Sequence, residues 1–150
     1  MLKDLLDERL VQLRIHADNW EDAVRKAAAP LVTAKKIKES YVDDIVKGVI
    51  EFGPYIVITK HVALPHARPE SGALETAIGI TTLDEPVVFG NEVNDPVRYL
   101  FCLSATDNNK HLSALADLSE LLEDEAFYAM LDSANSTQEV FNYLNNRKEA

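Results

Sequence analysis

Val97-Arg98-Tyr99-Leu100-Phe101-Cys102-Leu103-Ser104 is apolar at Val97, at Tyr99 and at every position from Leu100 to Leu103. A strand with one wet face alternates apolar and polar residues, so a run like this reads as a strand buried on both faces. A sheet built around it needs a covering layer on each side. Thr76 to Thr82 reads as a second strand and Tyr55-Ile56-Val57-Ile58-Thr59 as a third, since β-branched and aromatic residues suit a pleated surface. Pro86, Gly90 and Pro96 predict mostly loop between Thr82 and Val97. Near the start, Leu10-Val11-Gln12-Leu13-Arg14-Ile15 alternates partway, as a strand does.

The covering layers are legible as helices. Asp18 and Asn19 offer capping oxygens, and Glu21 lies three residues after Asp18, close to a capping box. Trp20, Ala23, Val24, Ala27 and Leu31 then recur at helical spacing, predicting a helix to about Thr33. A second helix starts near Glu39-Ser40, with Tyr41, Ile45 and Val49 on one face, and Gly53-Pro54 stops it. After Asp107 the spacing predicts helices over 109–122, 125–132 and 137–145. Strand and helix do not simply alternate, so the expected fold is α/β, a three-layer α/β/α sandwich with a mixed central sheet. With no Gly/Ser linker, repeat or low-complexity run, residues 1–150 read as a single domain.

Composition narrows the function. The 47% apolar and 27% charged residues are those of a soluble globular chain. No apolar run approaches the roughly 20 residues of a membrane helix, and the charged N-terminus lacks a secretory core, which predicts a cytoplasmic protein with no direct membrane insertion. A net charge of −10 argues against nucleic acid. Residues 1–60 carry ten basic and ten acidic groups, whereas residues 61–150 carry five basic and fifteen acidic ones. A basic protein partner would be steered to the second part; ordinary solvated helix faces account for the same pattern.

The chemistry concentrates in Val62-Ala63-Leu64-Pro65-His66-Ala67-Arg68-Pro69-Glu70-Ser71-Gly72. Pro65 and Pro69 fix their own φ and push Leu64 and Arg68 toward extended backbone, so His66 sits on a stiff loop after a strand. A histidine side chain, with an unperturbed pKa of about 6.5, has its nucleophilic neutral form well populated near neutral pH. An imidazole nitrogen can take up a phosphoryl group and release it again. Such transfers are governed by positioning and charge, and Arg68 is a candidate phosphate contact. An isolated histidine is more often a plain loop residue, and Arg68 reads equally as a surface partner of Glu70.

His111 strengthens the case. It opens the stripe His111, Leu115, Leu118, Leu122 at a helix start, where unpaired N–H groups favour an anion, and from there it could stabilise a phosphate on His66. A partly buried structural histidine is the alternative. His16 reads as a loop residue, His61 as strand-end packing near the site, and Cys102 as an inert core thiol. The residues call for no cofactor and no metal: zinc-ligand spacings are missing, and the five glycines are too scattered for a nucleotide loop.

Leu64-Pro65-His66-Ala67-Arg68 followed by Asn109-Lys110-His111-Leu112 resembles enzyme IIA of the mannitol–fructose class in the phosphoenolpyruvate-dependent sugar phosphotransferase system. Phe52-Gly53-Pro54-Tyr55, Arg68-Pro69-Glu70 with Gly72, and Asn94-Asp95-Pro96-Val97 resemble its ascorbate-specific branch. Val49-Ile50-Glu51-Phe52-Gly53 departs from branches that carry an arginine ahead of the active-site strand, so no arginine is carried over from there. The resemblance implies a phosphotransferase with a phosphohistidine intermediate. His66 would accept phosphate from the phosphorylated histidine-containing carrier protein, which docks by a basic face. It would pass the group to a cysteine of enzyme IIB, and a membrane enzyme IIC would complete sugar uptake. A homodimer stays open, as do two other readings: a nitrogen-type regulatory IIA and a non-enzymatic anion-binding module.

Overall fold

The computed structural model describes residues 5–147. In chain order come β1 (Val11–Ile15), α1 (Trp20–Thr33), α2 (Glu39–Phe52), β2 (Val57–Thr59) and β3 (Val62–Ala63). Then follow β4 (Ala77–Val87), β5 (Val97–Ser104), α3 (Asn108–Leu122), α4 (Glu125–Ser133) and α5 (Thr137–Asn146). The strands form one sheet in the order β1-β4-β5-β3-β2. β1 runs parallel to β4 and β3 parallel to β5, while the β4–β5 and β2–β3 pairs are antiparallel. The sheet is mixed, as the sequence predicts, and β5 is its middle strand.

The side chains of β5 divide between two cores. Leu100 and Cys102 pack with Val24, Leu31 and Ile45 of α1 and α2. Tyr99 and Phe101 pack with Leu118, Phe127 and Val140 of α3, α4 and α5. This is the expected α/β/α sandwich. Each large apolar side chain buried in it contributes about 1.5–3 kcal/mol. α1 comes close to β4 because Gly79 has no side chain there: a Cβ would lie 2.7 Å from Leu31 Cδ1 and 3.3 Å from the Leu10 carbonyl oxygen.

Four local expectations need correction. α1 is capped by Asn19, whose side chain accepts from the Asp22 amide at 2.9 Å, and Asp22 in turn accepts from the Asp18 amide. The cap is therefore Asn19, with Asp22 in place of Glu21 as the acid that reaches back, and it reaches the Asp18 amide. Tyr55 and Ile56 lie outside β2, because the turn begun at Gly53 (φ +85°) continues through a Val57 amide to Pro54 carbonyl bond. Leu10 belongs to a short 3₁₀ turn rather than to β1. β4 runs on past Thr82 to Val87; pairing with β5 resumes at Val87 and Val97 after a register irregularity, which lets Pro86 sit in the strand.

His16, after β1, lies between two carboxylates. Its ring nitrogens are 3.3 Å from Asp84 and 3.0 Å from Asp18. Those hydrogen bonds, Asp84's first, raise its pKa above the ordinary value. The charged form is thus favoured in the folded chain. Its stabilising effect is complete below the unfolded pKa of about 6.5 and disappears as pH rises through the higher folded value. The melting-temperature gap between the unmodified protein and His16→Gln is expected to be larger at about pH 5.5 than at about pH 8.5. A gap independent of pH would show that the two carboxylates do not hold the charged ring.

Candidate functional site

β3 and β5 are parallel neighbours, with Val62 opposite Tyr99 and Ala63 opposite Leu100. Their C-terminal ends therefore open at the same edge of the sheet. His66 follows β3, and His111 lies in the first turn of α3, which follows β5. The two imidazoles meet with centroids 5.5 Å apart and planes tilted by 42°. Between and around them is a cleft of about 420 Å³, lined by His66, Arg68, His111, Asn108, Phe52 and Tyr55 among others.

The His66 loop is fastened at several points. The Leu64 amide donates to Ile56 carbonyl at 2.8 Å, and the Leu103 amide of β5 donates to Pro65 carbonyl at 3.0 Å. The Lys38 amide donates to Gly72 carbonyl, and Ser40 Oγ donates to Ser71 carbonyl. Gly72 has φ +131°, and a Cβ there would come within 2.8 Å of Ser40 Oγ, so the far end of the loop lies directly on the start of α2. His66 Nδ1–H donates to Leu64 carbonyl at 2.6 Å. A carbonyl oxygen only accepts, so the neutral ring carries its proton on Nδ1 and its lone pair on Nε2.

The other walls come from the end of α2, the turn that follows it and the start of α3. Tyr55 meets His66 edge-on, with centroids 5.9 Å apart and planes at 81°. Asp107 caps α3 by accepting from the Lys110 amide at 2.8 Å. His111 is half-buried, and that burial, followed by electrostatic repulsion between the two imidazoles should both take up protons, lowers its pKa below the usual histidine value. Arg68 is exposed at the rim. Among the described residues no ion pair joins it to Glu70.

The three residues singled out in the sequence thus line one cleft, and the remaining candidates lie elsewhere. His61 has φ +68°, and its Nδ1 donates to Pro96 carbonyl at 2.7 Å, away from the cleft. Cys102 is fully buried in β5, and burial pushes its thiol up to about 12. Sequence reasoning missed Phe52, Tyr55 and Asn108 as lining residues. Phe52 gives a local signal, an aromatic side chain at the last turn of a helix that remains 74% exposed. Among the described residues no helix is long and apolar enough to cross a membrane.

Residues 4–147 match the family described as phosphoenolpyruvate-dependent sugar phosphotransferase system, EIIA 2. The chain belongs to this family. It is a mixed α/β EIIA-type phosphocarrier domain. The ascorbate-specific EIIA component of Salmonella choleraesuis is 36% identical over 151 residues, covering 99% of this chain and 98% of that protein. The mannitol-specific cryptic enzyme IIA CmtB of Escherichia coli superimposes with a TM-score of 0.86 at 34% identity, over 97% of this chain and 99% of that one. Enzyme IIAMTL of Escherichia coli, solved in complex with phosphorylated enzyme IIBMTL, superimposes with a TM-score of 0.81 at 26% identity, over 95% and 98% of the two chains.

Proposed function

We infer that this EIIA domain carries its phosphoryl group on Nε2 of His66, receives it from the phosphorylated histidine-containing carrier protein, and hands it to a cysteine of an enzyme IIB. One observation carries the reading: the Leu64 carbonyl holds the Nδ1 proton of His66, leaving a nucleophilic Nε2 beside His111 at the cleft. In the first transfer the Nε2 lone pair bonds to phosphorus. The carrier's N–P bond breaks and its electron pair returns to the carrier's imidazole. No proton need leave His66, so the phosphorylated ring keeps a positive charge next to the phosphoryl oxygens. That charge makes His66 a good leaving group for the second transfer, in which a thiolate attacks phosphorus and Nε2 recovers its electron pair. His111 and Arg68 supply donors and positive charge to the phosphoryl oxygens. Phe52 and Leu112, both exposed beside these residues, give an incoming protein apolar surface to rest on.

The relatedness to the Salmonella ascorbate component supports L-ascorbate as the sugar whose uptake this relay serves. The complex formed by the similar enzyme IIAMTL supports an enzyme IIB as the acceptor. The decisive experiment is intact mass after incubation with phosphoenolpyruvate, enzyme I and the carrier protein. The expected result is the gain of a single phosphoryl group, lost again when an ascorbate-type IIB is added. No gain would sink the phosphocarrier reading, and a gain retained in the presence of IIB would favour a regulatory IIA.

A further inference from the structure

Tyr41 lies on the buried face of α2, fully enclosed, with its hydroxyl at the back of the His66 loop. The hydroxyl donates to Leu103 carbonyl of β5 at 2.6 Å and accepts from the Ala67 amide at 3.0 Å. Ala67 is the residue directly after His66. One oxygen atom therefore ties the loop to the middle strand of the sheet on the C-terminal side of the histidine. On the N-terminal side the Pro65 carbonyl is tied to the same residue of β5, by the Leu103 amide. His66 is the only link between these two fastenings. Burial raises the phenol's pKa well above its ordinary value, so it remains a neutral hydroxyl, donor and acceptor at once.

We propose that Tyr41 is a positioning residue for phosphoryl transfer, its hydroxyl fixing the backbone at Ala67 so that His66 keeps Nδ1 on Leu64 carbonyl and Nε2 toward the cleft. The proposal rests on His66 being the phosphoryl acceptor. Without the hydroxyl, the Ala67 amide and the Leu103 carbonyl each lose a buried partner, and the nearest fastening on the C-terminal side of His66 moves out to Ser71 and Gly72. The imidazole can then leave Leu64 carbonyl and exchange tautomers. The attacking nitrogen and phosphorus must be aligned at short range, and a misplacement of about 1 Å can cost about a hundredfold in rate. Tyr41 touches neither the cleft surface nor a docking partner, so its effect belongs to the chemical step and not to carrier binding.

The test is Tyr41→Phe, which removes one oxygen and nothing else. Its kcat for uptake from the phosphorylated carrier is expected to fall about 10- to 100-fold with KM for the carrier unchanged. The 15N resonances of the unphosphorylated His66 ring should move from a single Nδ1–H tautomer toward a mixture. Val140→Ala, in the core below α5, serves as the comparison for lost stability; it is expected to keep both kcat and the His66 resonances. Wild-type kcat and wild-type His66 resonances in Tyr41→Phe would overturn the role of Tyr41. Absence of uptake by the unmodified protein would instead overturn the acceptor reading, which separates the two failures. Should Tyr41→Phe not fold, amide exchange in the unmodified protein decides: the Ala67 amide is expected to be strongly protected, and exchange at the rate of an open loop amide would defeat the proposal.

Discussion

Replacing His66 with alanine is expected to abolish phosphoryl uptake, and replacing His111 with alanine to slow it about 10²–10³-fold without abolishing it. The difference follows from their chemistry. His66 offers the one lone pair at the cleft that is aimed by a partner on its other nitrogen, since Nδ1 is held by Leu64 carbonyl. His111, 5.5 Å away between ring centroids, stabilises charge that develops on the phosphoryl oxygens. Losing one well-placed donor costs the amount quoted; losing the nucleophile leaves no bond to form. Intact mass and quench-flow uptake from the phosphorylated carrier read both effects. An equal loss in the two variants would place the bond-forming atom on either ring and overturn this division of roles.

His111 adds a pH signature. Burial first, and then the nearness of the His66 ring, hold its pKa below the ordinary value before transfer. A phosphoryl group brings about −1.5 to −2 charges next to it, which favours the protonated ring and raises that pKa. The phosphorylated protein then binds more protons than the unphosphorylated one. Phosphorylation of His66 is favoured as pH falls through the window between the two His111 values. NMR titration of the His111 ring is expected to give a higher midpoint in the phosphorylated protein. An unchanged midpoint would mean that His111 does not reach the phosphoryl group.

Phe127→Ala is expected to destabilise the protein by about 3–5 kcal/mol, the largest effect on stability anticipated for one side chain. Phe127 is fully buried, and its ring lies 6.0 Å from that of Phe101 in β5, 5.9 Å from Tyr128 and 6.0 Å from Tyr143. It joins β5, α4 and α5, so its removal leaves a hole bordered by three elements that cannot all close inward together. For a chain of this size the melting temperature should fall by about 6–20 °C. Phe127→Leu keeps most of the volume and should cost about 1.5 kcal/mol or less. Because α4 brings no side chain to the cleft, phosphoryl uptake well below the melting temperature should stay near normal. Urea denaturation and the uptake assay on the same samples check both halves of this expectation.

What the sequence made legible was local. The bounds of β5, α1 and α2 follow from burial pattern, cap oxygens and the Gly53-Pro54 stop, all within a few residues of the element they end. His66, Arg68 and His111 are legible as candidates for one phosphate site from their residue types and positions at a strand end and a helix start. That they share a cleft depends on β3 lying parallel beside β5, a pairing between distant residues that no local pattern encodes. His61 shows the converse: five residues before His66, it turns away through a left-handed backbone toward Pro96. Tyr41 reads in the sequence as one more apolar-face residue of a helix. The partners of its hydroxyl lie 26 and 62 residues away, which only the folded chain reveals. Tyr55 was misplaced in a strand because its aromatic ring fits strand composition, whereas the turn after Gly53 decides its backbone.

The state of Cys102 has a practical side. A thiol sealed in the middle strand, with its ionisation pushed up to about 12, stays unreactive toward maleimides and disulfide reagents while the fold is intact. The protein as it stands is therefore a silent background for thiol labelling. A cysteine introduced at exposed Ser119 would take a fluorophore or spin label alone, with no native residue to be removed first. Labelling of Cys102 itself would then serve as a gauge of opening between the sheet and the α1–α2 layer that covers it.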